Sequence, residues 1–239
     1  MPSFPRYYIL EDQSLFHVTW KCHNEDWLLK TDWAKKHYYD LLLKYKDQYG
    51  VQIYAYCLMD NHIHLTGKLQ SLKNFSDFFR VVNSCFARFY NKRVERRGQV
   101  VMDRFKSPRI ETEADLLKVM FYIDLNPKRA GKVIHPKKNI FSSYNYYAYG
   151  KKDALVTSAP TYLGLGKTRK ERQKIYQELI SKILKYDWKV KKPYSSIPFI
   201  GNPIWVNQRI KTLKEAQANY YRDWKIRHER RFGTFRNSG

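Results

Sequence analysis

Short runs dominated by apolar, β-branched and aromatic residues recur in the first half of the chain, and they predict β-strands. These runs lie at residues 14–22, 51–59, 62–69 and 100–110. Only Asp60 and Asn61 separate the second run from the third, and both residue types favour turns. We therefore expect the third strand to return alongside the second, within a small and mostly antiparallel sheet.

Three segments between these runs have apolar residues at helical spacing. They lie at residues 31–50, 71–98 and 112–125. Thr31 is a candidate N-cap and Gly50 a candidate stop for the first helix, while Thr112 and Asp115 form a capping-box pattern for the third. The order of strands and helices predicts an α+β fold with helices packed on the sheet.

The character of the chain changes near residue 150. A polar and aromatic stretch at 142–160 reads as a loop, and residues 167–192 and 207–231 read as basic helices. We therefore predict a catalytic domain over 1–150 and a basic, mostly helical region over 151–239. This second region is expected either to bind DNA or to regulate the first.

The net charge of +23 and the pI of about 9.8 bear on partners more than on fold. Such an excess favours a polyanion, first of all nucleic acid. There is no apolar run long enough to span a membrane, no signal-peptide pattern and no basic amphipathic anchor at the N-terminus. The three cysteines are too widely spaced for a CxxC site. We expect a cytoplasmic, nucleoid-associated protein without a membrane partner.

Two histidines, His62 and His64, are separated by one residue within the third predicted strand. Because side chains alternate along a strand, both imidazoles point to the same face and can chelate a divalent metal. By itself the pair is better explained as the half-exposed polar face of an edge strand than as a metal site. A third ligand and a reactive group are needed to favour a site.

The predicted helix at 112–125 offers both. Lys118, Tyr122 and Asn126 lie four residues apart and share one face of the helix. A boundary tyrosine and a C-terminal cap before Pro127 are the simpler interpretations of the last two. Lys118 is a candidate for electrostatic activation of the tyrosine.

The string CLMDNHIHL, followed later by FYIDLNPKRAG, resembles the single-tyrosine transposases of the HUH superfamily. It resembles most closely the branch called REP-associated tyrosine transposases, linked to repetitive extragenic palindromes in bacteria. The strings FHVTWKCHN, DRFKSPRI and FSSYNYYAYG fall where that family has similar ones. The resemblance covers roughly residues 5–150 and extends weakly into 160–205.

The resemblance implies an HUH fold with a ferredoxin-like antiparallel sheet. It also implies a divalent metal held by His62, His64 and Asn126, and a nucleophile at Tyr122 that forms a covalent 5′-phosphotyrosine. Asp60 stands where many members have proline. Nitrogen and oxygen ligands with open positions suit Mg²⁺ or Mn²⁺. No phosphate-binding loop indicates a nucleotide cofactor.

Basic residues cluster in three segments, and they are the expected contacts to DNA phosphates. Residues 88–109 contain eight Lys or Arg against two acids, 167–192 contain ten against three, and 207–239 contain nine against three. The predicted contacts are Arg6, Arg88, Lys92, Arg93, Arg104, Lys106, Arg109, Lys128 and Arg129. Aromatic residues expected to stack on unpaired bases include Phe89, Tyr90, Phe105, Tyr144, Tyr146 and Tyr147.

The function expected from these features is a metal-dependent single-strand DNA endonuclease and strand transferase that acts at hairpin-forming, REP-like repeats. Two alternatives stay open. One is a replication initiator or relaxase of the same superfamily, although relaxases have the tyrosine before the histidines. The other is a catalytically silent or domesticated nucleic-acid-binding protein. We expect a monomer, with a dimer as the alternative.

Overall fold

The computed structural model describes residues 5–102, 104–186, 194 and 196–232 of the chain. Five strands form one sheet: β1 (Leu15–Lys21), β2 (Val51–Leu58), β3 (His62–Leu69), β4 (Arg109–Ile110) and β5 (Phe199–Ile200). Their order across the sheet is β2-β3-β1-β4-β5. The β4–β5 pair is parallel and the other pairs are antiparallel. The predicted α+β class is confirmed.

Helices account for most of the remaining described chain. They are α1 (Asp32–Tyr45), α2 (Leu72–Arg93), α3 (Glu113–Asp124), α4 (Asn126–Arg129), α5 (Tyr144–Tyr149), α6 (Pro160–Leu163), α7 (Arg169–Tyr186) and α8 (Pro203–Phe232). Short 3₁₀ turns lie at Arg6–Tyr8, His23–Glu25 and Pro136–Lys138. The three helices expected in the first half and the two expected near the C-terminus are present. Residues 187–192, the last part of the basic helix predicted over 167–192, lie outside the described part of the chain.

The helix ends follow local chemistry. The Thr112 side chain accepts a hydrogen bond from the Asp115 backbone N–H, so the expected N-terminal cap of α3 is confirmed. Helix α2 ends at Arg93 rather than at the predicted residue 98. Glu95 has a φ of 51°, which is incompatible with a continuing right-handed helix.

Alternation along β1 divides the molecule into layers. Phe16 points towards α2, where its ring centroid lies 4.7 Å from that of Phe75. Trp20 points the same way and donates a hydrogen bond of 2.8 Å to the Tyr38 hydroxyl on α1. His17 points to the opposite face, towards Tyr122 on α3. The sheet therefore lies between the α1–α2 layer and α3, and the polar histidines face α3.

The turn between β2 and β3 is tied down by charge. Asp60 accepts hydrogen bonds from Lys35 at 2.7 Å and from Lys132 at 2.9 Å. Burial alone would raise the pKa of the Asp60 carboxyl, but the two ammonium groups lower it below its usual value. Asp60 therefore anchors the turn directly before His62.

The strand predicted over residues 100–110 is wrong for most of its length. Only β4 is a strand, although Lys106 also forms an isolated bridge with Thr19 of β1. Pro108 lacks a backbone N–H, so between these two points its carbonyl accepts from the His17 N–H at 2.9 Å but no bond is donated in return. The segment instead runs along the edge of β1 as an irregular strip, which brings its side chains to the site described below.

The interpretation of 142–160 as a loop is also wrong in part, because α5 lies within it. Tyr144 and Tyr147, proposed for base stacking, are buried in the core. The Tyr147 ring stacks on Tyr176 of α7 at 5.3 Å. Neither ring is accessible to a nucleic acid base.

Helix α7 is joined to α3 through a buried carboxyl group. Asp124 accepts hydrogen bonds from the Tyr176 hydroxyl at 2.7 Å and from the Ser143 hydroxyl at 2.8 Å. Tyr176 also packs against Phe121 with 5.1 Å between ring centroids. The boundary near residue 150 stays a prediction, but side chains from both sides of it share this core.

All three cysteines are free thiols, as their spacing suggests. None of the helices in the described part of the chain has the length and apolarity that a membrane crossing requires.

Candidate active site

The two histidines of β3 lie on the sheet face that is turned towards α3. Their ring centroids are 5.0 Å apart and the ring planes are perpendicular. His64 is almost fully buried, whereas His62 is partly open to solvent. Strand alternation therefore brings both imidazoles together, as predicted from their spacing.

The His62 ring is oriented by its neighbour in the turn. Its Nδ1 lies 2.7 Å from Oδ1 of Asn61, and Asn61 uses its amide nitrogen to donate to the Glu25 carbonyl. Because a side-chain carbonyl oxygen only accepts, Nδ1 of His62 carries the proton. The lone pair of His62 is then on Nε2, the nitrogen left for a ligand.

Asn126 joins the histidines from a different element. It begins α4, immediately after α3, and its amide nitrogen lies 3.1 Å from Nε2 of His64. The residue is buried, so its amide is held in a fixed environment. Asn126 and His64 are 62 residues apart in the sequence, and the packing of α3 on the sheet brings them together.

Burial keeps the imidazoles in their neutral form. It lowers the pKa of His62, and a hydrogen bond between the His62 ring, as donor, and Asn126 partly opposes this effect. It lowers the pKa of His64 well below its usual value, and the neighbouring His17 and His62 lower it further. A neutral imidazole has a free lone pair, so both rings are prepared to bind a cation at neutral pH.

Tyr122 lies above the histidines. Its ring centroid is 5.6 Å from that of His64 and 6.1 Å from that of His17, in both cases edge-to-face. The Arg129 guanidinium lies 5.1 Å from the centroid of the Tyr122 ring and donates to the Tyr122 carbonyl. The Tyr194 ring packs against it at 5.2 Å.

The two histidines of β3, Tyr122 and Asn126 line one cavity of about 330 Å³. Its lining includes two parts, the polar group His62, His64, Tyr122 and Asn126 and the basic group Lys21, Arg104 and Lys106. Polar groups converging in an open, basic cavity are what a phosphodiester substrate requires.

The donor set fits a divalent cation. With His62, His64 and the Asn126 amide oxygen as its protein ligands, a bound ion would keep its full charge, because all three donors are neutral. Among the described residues, no group of three His, Cys, Asp or Glu side chains is arranged to hold a metal ion, so a third protein ligand here would be the Asn126 amide.

Comparison with known proteins gives a family match for the first half of the chain. Residues 12–124 match the model of the family described as IS200-like transposases. Residues 12–124 are therefore similar to the IS200-like transposases, and we call this part of the chain the IS200-like domain. The predicted relationship to single-tyrosine transposases is thereby confirmed.

Two solved structures were found as matches, and the first shares the fold. A REP-associated tyrosine transposase bound to a REP hairpin matches with a TM-score of 0.51 and 21% identity, over 66% of this chain and 92% of that one. A candidate transposase from Deinococcus radiodurans matches with a TM-score of 0.36 and 15% identity, over 52% of this chain and 96% of that one. A search of curated proteins gave no significant match.

Lys118, the predicted activator of Tyr122, is placed differently from the other candidates. Its ammonium group forms an ion pair of 2.8 Å with Asp115, and it is largely exposed. The hydrogen bond that Lys118 donates to the Asp115 carboxylate raises the pKa of Lys118. The side chain does not belong to the cavity lining, whereas Arg129 contacts Tyr122 directly.

The predicted DNA-binding residues of the IS200-like domain occupy several surroundings. Arg104 and Lys106 line the cavity, and Lys128 and Arg129 lie on α4 beside it. Arg88, Lys92 and Arg93 are exposed at the end of α2. Arg109 forms an ion pair with Glu11.

Arg6 is a correction to the predicted DNA surface. Its guanidinium is buried, donates to the Phe105 carbonyl at 2.8 Å and to the Ser107 hydroxyl at 3.2 Å, and lies 3.5 Å from the Phe105 ring centroid. Burial, with a smaller effect from Arg104, lowers its pKa to about 9. Arg6 and Phe105 are therefore parts of the structure, not free contacts for DNA.

Sequence reasoning missed three residues of the site. His17 is fully buried, and its Nε2 lies 3.0 Å from Nδ1 of His64. Tyr194 approaches His17 through its backbone carbonyl, and Lys21 lines the cavity. A histidine among the apolar residues of a central strand was the one available signal for His17.

Proposed function

We propose that this protein is a metal-dependent single-strand DNA endonuclease and strand transferase that cleaves next to hairpin-forming repeats through Tyr122. The observation that carries the proposal is the convergence of Tyr122, His64 and Asn126 on one basic cavity. The two histidines come from β3 and the asparagine from α4, so the meeting of Asn126 with the histidines is not explained by local sequence.

His62, His64 and Asn126 would hold one Mg²⁺ or Mn²⁺ ion through the two Nε2 atoms and Oδ1. When bound, such an ion offsets the negative charge of the scissile phosphate. Two features hold the histidine rings in place. The Asn61 amide orients the His62 ring, and burial holds the His64 ring. Basic side chains at the cavity rim, Lys21, Arg104 and Lys106, attract the phosphate and its neighbours.

Tyr122 acts as the nucleophile in this scheme. Its hydroxyl oxygen bonds to phosphorus while the bond from phosphorus to the 3′-oxygen breaks. The phenolic proton leaves Tyr122, and the departing 3′-oxygen takes up a proton, so the products are a 5′-phosphotyrosine and a free 3′-hydroxyl. The reverse attack by a 3′-hydroxyl rejoins strands, and no nucleotide cofactor is consumed.

Activation of the phenol calls for a nearby positive charge, because a tyrosine holds its proton at neutral pH. Arg129 supports this role by its position over the Tyr122 ring. Lys118 is the second candidate, although its pairing with Asp115 reduces its effect.

The DNA partner follows from the charge and from the structural relative. Exposed basic residues at the end of α2 and half-buried ones on α4 suit a phosphate backbone, and the relative described above was solved with a REP hairpin. We therefore propose hairpin DNA with single-stranded flanks as substrate, handled by a monomer in the bacterial cytoplasm on nucleoid DNA.

The test is a nicking reaction on a labelled hairpin with single-stranded flanks, in Mn²⁺ and in Mg²⁺. We expect a covalent protein–DNA adduct from the wild type and none from Tyr122→Phe. Tyr186→Phe is the matched control, because Tyr186 is exposed and lies outside the cavity. An adduct that survives Tyr122→Phe, or tight hairpin binding without cleavage on cognate repeats, would overturn the proposal.

A further inference from the structure

A chain of hydrogen bonds leads from the C-terminal region to a proposed metal ligand. Nδ1 of His17 lies 3.2 Å from the backbone carbonyl oxygen of Tyr194. Nε2 of the same ring lies 3.0 Å from Nδ1 of His64. In the sheet, His17 is opposite Thr66 and Thr19 is opposite His64, so the two histidines are diagonal neighbours on adjacent strands.

The donor and the acceptor of each hydrogen bond in this series follow from the Tyr194 carbonyl at its end. A backbone carbonyl has no proton to give, so Nδ1 of His17 must be the donor. Burial of both rings favours the neutral form, in which an imidazole carries one proton only. Nε2 of His17 is then an acceptor, and Nδ1 of His64 must donate to it. The remaining nitrogen of His64, Nε2, keeps its lone pair.

The lone pair on Nε2 of His64 lies at the cavity. Nε2 of His64 is the atom that lies 3.1 Å from the amide of Asn126, at the cavity. The tautomer selected by the chain is therefore the one that can bind a cation there. The opposite tautomer would place a proton on the ligating nitrogen.

We propose that His17 and the Tyr194 carbonyl position His64 as the Nε2-ligating tautomer and thereby set the affinity of the site for a divalent cation. This inference rests on the proposed function, because it concerns the same metal site. It makes His17 a positioning residue and makes Tyr194, far beyond the IS200-like domain, a supporting part of the site. Acceptors behind ligating histidines generally raise their basicity and fix their rotation.

A direct ligand role for His17 is not compatible with this geometry. Its Nε2 faces Nδ1 of His64, on the side of that ring away from the cavity, and its Nδ1 faces Tyr194. Both nitrogens are thus engaged, and His17 is not part of the cavity lining. A purely packing role would not need either nitrogen.

The first test reads the tautomer directly in the metal-free protein. With ¹⁵N-labelled histidine, long-range ¹H–¹⁵N NMR distinguishes the two tautomers of His64. We expect the proton on Nδ1 in the wild type. A proton on Nε2 would overturn the proposal whatever the protein does with metals.

The second test measures Mn²⁺ binding by calorimetry and electron paramagnetic resonance. His17→Leu removes the acceptor, and we expect the affinity to fall about 10- to 100-fold. His17→Gln can accept through Oε1 and donate through Nε2, and we expect it to restore the affinity to within a few-fold of wild type. His37→Leu is the control, since His37 stacks on Phe89 in the opposite layer.

The outcomes separate this inference from the proposed function. Wild-type protein that binds no Mn²⁺ would contradict the metal site, while the NMR experiment would still decide the tautomer. A folded His17→Leu variant that binds Mn²⁺ as tightly as wild type would overturn the positioning role and leave the metal site intact. If His17→Leu does not fold, the position of the His64 proton and the Mn²⁺ affinity of His17→Gln test the positioning role instead.

Discussion

Nε2 of His64 and the side-chain amide of Asn126 lie 3.1 Å apart, although one belongs to the central sheet and the other follows α3. This contact predicts how Asn126 variants behave. Asn126→Ala should weaken Mn²⁺ binding about 10- to 100-fold, because it removes a ligand of the proposed site. Asn126→Asp should retain Mn²⁺ binding but slow cleavage, because a carboxylate cancels part of the charge that the phosphate needs.

Calorimetry with Mn²⁺ and the rate of covalent adduct formation measure these two effects separately. Asn139→Ala serves as a control, since Asn139 contacts Cys57 away from the cavity. Unchanged Mn²⁺ affinity in Asn126→Ala would remove Asn126 from the ligand set.

Two cations compete for the role of activating Tyr122. We expect Arg129→Ala to slow adduct formation at neutral pH by about tenfold or more, since the guanidinium lies against the phenol ring. Lys118→Ala should have a smaller effect because Asp115 pairs with that ammonium. A pH series checks the cause: a rate lost through poorer deprotonation should recover in alkali. A larger effect for Lys118→Ala would reverse the assignment.

The burial of Arg6 predicts a stability effect instead of a DNA-binding effect. Arg6→Ala should lower the free energy of unfolding by about 1–3 kcal/mol, because it leaves the Phe105 carbonyl and the Ser107 hydroxyl without their donor. Lys106→Ala, at the exposed cavity rim, should leave stability unchanged. It should reduce the salt dependence of single-strand binding by about one phosphate contact, a slope change of about 0.7.

Urea unfolding and salt-titrated DNA binding distinguish the two variants. The account would be contradicted if Arg6→Ala were fully stable and lost affinity for DNA in the manner of Lys106→Ala.

The buried carboxyl of Asp124 predicts a pH dependence of stability. Burial raises its pKa to about 7, despite the hydrogen bonds from Tyr176 and Ser143 that act in the other direction. An unfolded aspartate has a pKa of about 4, so the folded protein binds this proton more tightly. The contribution is therefore fully present below pH 4 and is lost as the pH rises through about 7, by at most about 4 kcal/mol.

Unfolding experiments between pH 4 and pH 8 on wild type and Asp124→Asn test this. The difference in unfolding free energy between them should shift in favour of Asp124→Asn as the pH rises. Asp77→Asn, at an exposed position, should follow the wild type. A difference that does not change with pH would show that Asp124 is ionised throughout.

Much of this architecture is readable from the sequence because it is local. The period of two in β3 puts His62 and His64 on one face, and the Thr112 cap and the spacing of Tyr122 and Asn126 place the other candidates. The family resemblance then gave these residues their expected roles.

What the sequence did not reveal depends on contacts between distant elements. The role of His17 appears only when the register of β1 against β3 sets it beside His64, and when Tyr194 supplies a carbonyl. Arg6 is buried against the irregular strip at 104–108, which the sequence predicts to be a strand. Tyr147 became a core residue because α7 covers it, and α7 carried only the signal of a basic helix.

The most direct measurement of the central claim is mass spectrometry of the covalent intermediate. Wild-type protein is incubated with Mn²⁺ and a suicide hairpin substrate, digested with trypsin, and the nucleotide-bearing peptide is sequenced. The account predicts a phosphodiester bond to the Tyr122 oxygen, with the nucleotide attached through its 5′-phosphate. A nucleotide on any other residue, or cleavage that leaves its 5′-phosphate free in solution, would contradict it.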